Sequence, residues 1–180
     1  MNSRQGEQVA SEHALHVLEF GAIRRLLGRW MSSDLGRSLL PTVVPLADLS
    51  LIRLKQRQTS EAKTLLIADT PPSLQQLVDP RPLLGQVAQQ GKILEPQELL
   101  DLQFLLATAR QTKRFFARLA EQYPLLAVLT ESMLFPESIE RRIGQVVDPR
   151  GDIKDSASPR LQEIRTELRH TRERVRRRLD

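Results

Sequence analysis

From Ser158 onward the sequence reads SPRLQEIRTELRHTRERVRRRLD, and its large apolar side chains stand only at Leu161, Ile164, Leu168, Val175 and Leu179. Steps of three, four, seven and four keep them on one narrow line of an α-helix, like the seam of a coiled coil. A helix on the surface of a globular domain shows a wider apolar face. Ser158-Pro159 is a start signal, a capping hydroxyl followed by the one residue whose missing N–H costs nothing in the first turn. No stop signal follows. A helix over 159–180 would be a rod of about 33 Å, and its lack of a terminal cap predicts a truncated chain whose helix runs on past Asp180. The segment therefore predicts a projecting rod, and the rest of the chain is its mount.

The charge follows the same division. Residues 159–180 hold 8 Arg against 4 Asp or Glu, while the 180-residue chain as a whole carries +5, so the body is nearly neutral. Arg169, Arg172, Arg174, Arg176, Arg177 and Arg178 are candidate contacts to nucleic-acid phosphates. The alternative is an ordinary solvated face, in which Glu173 pairs with Arg169 and Arg177 one turn away. The seam Leu161, Ile164, Leu168, Val175 and Leu179 has its own alternative use, pairing with a second chain.

Upstream, residues 1–10 read as a flexible terminus and 11–157 as a helical core, with 158–180 the start of a long lever or coiled-coil helix. The fold class is all-α, with a small β-hairpin or an extended connector near 145–157. Leu15, Leu18, Ala22 and Leu26 predict one helix from a Ser11 cap to near Trp30, with Trp30 in the core or in helix–helix packing. SSDLGRSLLP predicts a short helix capped by Ser32 or Ser33, where Gly36 suggests a close helix approach. A longer helix begins near Leu46 or Ala47. DTPPSLQQLVDPRP is a connection, because its prolines exclude a long helix. Asp79 is the predicted cap of PLLGQVAQQ, which Gly91 closes. The strongest interior helix runs from Pro96 to about Ala120, and short helices follow at 125–130 and 137–145. In IGQVVDPRGDIKDSAS, Val146, Val147 and Ile153 flank a DPRG turn, and Asp155 and Ser158 are read as caps.

Catalytic patterns are missing. The chain has no cysteine, no glycine-rich loop ending in Gly-Lys-Ser/Thr, no Gly-x-Ser-x-Gly and no His-Glu-x-x-His. This excludes thiol chemistry, disulfides and a Walker-type phosphate cradle within these residues. His13 and His16 lie one turn apart with only Glu12 and Glu19 nearby, a poor ligand set. Asp148, Asp152 and Asp155 flank a turn and are assigned to backbone capping instead of metal. Arg24, Arg25 and Arg29, and Lys113, Arg114 and Arg118, can reach phosphate, but aromatic residues do not interleave with them as on a stacking surface. No apolar run is long enough to span a membrane, and the expected location is the cytoplasm.

Five stretches, in order, resemble the N-terminal part of the bacterial MutS family, in its second branch, whose members carry a C-terminal Smr domain. They are LEFGAIRRLL (18–27), SSDLGRSLL (32–40), VDPRPLL (78–84), GKILEPQELLDL (91–102) and VVDPRGDIKDSASPRLQEIRTELR (146–169). The resemblance implies a helical core and the ascending half of a lever helix that leads to a clamp. It also implies that the whole protein is a homodimeric ATPase, using ATP and magnesium, which binds branched DNA, suppresses recombination and acts on collided ribosomes, with an endonuclease activity. Partners of this stretch would be the remaining lever, clamp and ATPase domains. No cofactor and no catalytic residue is expected in the stretch itself. Glu95 stands where a Ser-like cap is common in the family.

Overall fold

Side-chain caps open several of the helices. The computed structural model describes residues 10–68, 70–75 and 77–179, with the side chains of residues 90, 178 and 179 outside that description. Of the expected flexible terminus, residues 1–9 also lie outside it. Ser11 opens α1 (Glu12–Val17) by accepting the Ala14 N–H at 3.1 Å. The single helix expected through Trp30 is broken: α2 (Phe20–Arg29) restarts after Glu19, whose φ of 52° lies in the left-handed region. No glycine or proline marks the break, so nothing in the sequence pattern announces it. Ser33 caps α3 (Asp34–Arg37) through the Gly36 N–H, and a Cβ at Gly36 would meet that same hydroxyl at 3.0 Å. Room for the cap, and not a neighbouring helix, is what the glycine provides.

Asp48 opens α4 (Leu49–Ala68) by accepting the N–H groups of Ser50 and Leu51. The cap position of α5 (Arg81–Gln90) falls on Pro80, which offers no side-chain acceptor. Asp79 therefore sits one residue upstream of the role assigned to it. Gly91 closes α5 at φ 63° as expected. α6 (Pro96–Arg118) begins at its proline, and Glu98 reaches back to accept the Glu95 N–H at 2.9 Å, half of a capping box. α7 (Pro124–Glu131), α8 (Glu137–Val146) and α9 (Pro159–Leu179) complete nine α-helices among the described residues, with short 3₁₀ turns at 40–42 and 155–157. The protein is all-α. The hairpin or extended connector expected near 145–157 is a turn closed by one antiparallel bridge, Val147 to Ile153.

These elements form two compact units. The first comprises residues 1–79 and 110–133, the second 80–109 and 134–180. In the first, Leu65 of α4, Phe116 of α6, and Tyr123 and Ala127 at α7 make the core, with Phe115, Leu119 and Leu126 packed around it. Phe115 and Phe116 meet edge to face, centroids 5.3 Å apart, a favoured aromatic geometry. Tyr123, at the cap position of α7, makes no side-chain capping hydrogen bond. The Glu61 carboxylate of α4 caps the helix instead, accepting the N–H groups of Leu125 and Leu126, each at 3.0 Å. Trp30, expected in the core or in helix–helix packing, is 84% exposed at the end of α2. The side of α2 carrying Gly28 is the packed one: a Cβ there would meet Leu40 at 2.9 Å.

Candidate functional site

The root of α9 lies in the second unit and is built by the turn before it. Asp148 Oδ1 accepts the N–H groups of Arg150 and Asp152, at 2.8 and 2.9 Å. The backbone closes with Asp148 N–H to the Asp152 carbonyl and Lys154 N–H to the Val146 carbonyl. Gly151 turns the corner at φ 88°, and a Cβ there would also press on Gln97 at 3.2 Å, so only glycine fits. Val147, 2% exposed, pins the turn inward, while Lys154 donates its ammonium to the Gly144 carbonyl of α8. The turn is thereby fixed on both flanks, which is what a helix mounted on it requires.

Three residues then seat the helix. Ser158 accepts the Leu161 N–H at 3.2 Å, the predicted cap. Arg165 donates to the Ile153 carbonyl at 2.8 Å and to the Asp155 carboxylate at 2.5 Å. Arg169 adds a longer ion pair to the other Asp155 oxygen at 3.5 Å. Asp155 is thus not a cap. It stands at the start of the 3₁₀ turn, where Lys154 occupies the cap position, and it clasps the helix from the side. The Arg165 hydrogen bond, with the charges of Arg165 and Arg169, holds the Asp155 carboxyl below the usual carboxylate range. The N–H groups of Asp152 and Arg150 do the same for Asp148, and Lys92 followed by the Glu95 N–H for Glu98.

These depressed values set a pH dependence with a definite sign. A carboxylate whose folded pKa lies below its unfolded one stabilises the fold above the unfolded value and loses that contribution as pH falls through the folded value. Urea midpoints are therefore expected to hold steady above the ordinary carboxylate range of about 4 and to fall below it. Asp155→Asn is expected to shallow that acid limb, since Asp148 and Glu98 remain to drive it. Chemical denaturation followed by circular dichroism along a pH series measures both slopes.

Beyond the clasp, every described side chain from Glu167 to Arg177 is exposed. Along the seam, exposure climbs from the half-buried Leu161 to 40% at Ile164, 48% at Leu168 and 52% at Val175. The Leu179 and Arg178 side chains lie outside the described residues. Among the candidate phosphate contacts, Arg169 is partly engaged by Asp155, Arg177 pairs with Glu173 at 3.8 Å, and Arg174 donates weakly to Thr171. Arg172 and Arg176 are exposed on the same helix. His13 and His16 stand on α1, and no group of three or more metal-binding side chains gathers among the described residues. No described helix is long and apolar enough to cross a membrane. The Asp155–Arg165 clasp escaped the sequence reading, because two residues ten apart across a turn leave no periodic trace.

No family model matches the chain. Individual proteins do. It is 34% identical to an Endonuclease MutS2 of Symbiobacterium thermophilum over 94% of this chain and 21% of that protein. It is 36% identical to one of Pelotomaculum thermopropionicum over 86% and 20%, and 33% identical to one of Bacillus velezensis over 94% and 22%. The resemblance drawn from the five stretches holds along nearly the whole chain, which spans about a fifth of the length of these curated relatives.

Proposed function

We propose that this MutS2-like sequence is the helical core and the root of a lever helix within a larger ATP-driven DNA-binding protein. The observation that carries the reading is α9 itself, clasped at Asp155 and Ser158 and exposed along its apolar seam from Ile164 onward. Such a helix moves when its mount turns, and its seam receives a partner helix. The nucleotide chemistry, with ATP and magnesium, belongs to other parts of the whole protein, and so does the endonuclease activity that the relatives' name records. On this reading the whole protein is a cytoplasmic homodimer that binds branched DNA, restrains recombination and engages collided ribosomes.

Two measurements test it. The 180-residue chain is expected to show no magnesium-dependent ATP hydrolysis or DNA cleavage above a mock purification, and turnover that co-purifies with it overturns the assignment. In the whole protein, Leu168→Glu with Val175→Glu is expected to abolish nucleotide-dependent changes in DNA affinity while ATP hydrolysis persists. Retention of both rejects the lever role. A second reading, direct nucleic-acid contact through α9, draws on the exposure of Arg172, Arg174 and Arg176. It requires a binding constant that falls steeply with salt and a flatter slope when these arginines become glutamine.

A further inference from the structure

Three arginines of α6, at positions 110, 114 and 118, fall four residues apart and so share one face of the helix, about 6 Å from one to the next. All three line an open cleft of about 730 Å³ in the first unit, together with Thr70, Pro72, Gln111 and Phe115. That volume lies within the range of small-molecule sites, roughly 300–1,000 Å³. We propose that this cleft binds phosphorylated nucleosides, the guanidinium row taking the phosphates and the Phe115–Pro72 wall taking the flat base.

The chemistry fits each half of such a ligand. Guanidinium groups offer planar pairs of donors matched to phosphate oxygens, and a row of them suits two or three linked phosphates better than one. Arg110 and Arg114 hold interactions of their own within the chain, and a five-donor group retains donors for a ligand. Arg114 and Arg118 are exposed, and Arg110 is half-buried at the inner end of the row. Phe115 is packed edge to face against the buried Phe116 and against the core of the first unit. Thr70 and Gln111 add polar side chains to the same lining. Lys113, next to Arg114 in sequence, donates to the Glu131 and Met133 carbonyls, at 2.8 and 3.0 Å, and closes the end of α7. Lys113 is thus not among the residues that line the cleft, whereas Arg114 and Arg118 of the same TKRFFAR stretch are.

The same ligand chemistry is offered by a free nucleotide and by the 5′-phosphorylated end of a nucleic-acid strand. Calorimetric titration of the 180-residue chain at low salt separates these sources, using ADP, pyrophosphate, adenosine, and short oligonucleotides with and without a 5′-phosphate. ADP is expected to bind at least about tenfold tighter than adenosine. Arg114→Gln with Arg118→Gln is expected to weaken ADP by a similar factor without altering the circular dichroism. Arg172→Gln with Arg176→Gln on α9 should leave ADP binding unchanged. Competition by the 5′-phosphorylated oligonucleotide and not by its 5′-hydroxyl form identifies strand ends as a source, and its absence leaves the free nucleotide. No ADP binding, equal binding of adenosine, or equal loss in the α9 variant overturns the proposal. None of these outcomes bears on the lever reading, which rests on the other unit.

Discussion

Tyr123→Ala is expected to lower the unfolding free energy by about 3–5 kcal/mol, the range for emptying a buried aromatic site. The ring is 2% exposed and sits among Leu65, Phe116 and Ala127. Whole domains are stable by only about 5–15 kcal/mol, and fully buried apolar side chains are few among the described residues of this chain. The variant should therefore be largely unfolded at temperatures where the parent is folded. Tyr123→Phe keeps the ring and is expected to cost much less. Thermal melts of the two variants, followed at 222 nm, measure the difference. A small shift for alanine would mean that the cluster is not the core of the first unit.

Glu61→Ala should produce the second-largest loss, about 1–3 kcal/mol, the cost of leaving charge-assisted hydrogen bonds unmade. Its carboxylate receives the N–H groups of Leu125 and Leu126, two of the orphan donors at the start of α7. It also places a negative charge at the positive end of that helix. Alanine removes both effects. Glutamine keeps an acceptor oxygen and loses the charge, so Glu61→Gln is expected to fall between alanine and the parent. Hydrogen exchange at Leu125 and Leu126 locates the effect: these two amides should lose protection in the alanine variant well before the rest of α7.

Features written in neighbouring residues were legible in the sequence. Ser11, Ser33 and Ser158 cap the helices they precede, Gly91 ends α5, Pro96 begins α6, and the DPRG stretch turns where the flanking valines and Ile153 require it. Each depends on contacts within about one helical turn. Interactions across longer separations left no such mark. The Glu61 cap joins residues more than sixty apart, and the Asp155–Arg165 clasp crosses a turn. The reading of Trp30 failed for a related reason. Periodicity finds an apolar face without saying whether anything covers it, and α2 keeps its tryptophan outside. The break at Glu19 is a backbone choice that no residue type dictated. For α9, the narrow seam and the Ser-Pro start were visible in advance, but the side tether that fixes its direction was not.

On the lever reading, α9, held from the side at Arg165 and exposed from Glu167 to Arg177, is a cantilever. Residue 177 lies about 18 Å beyond the clamp, so tilting the base by about 10° would sweep it through roughly 3 Å. Rotations too slight to disturb any hydrogen bond at the Asp148 turn would thus become displacements of a full side-chain contact at the tip.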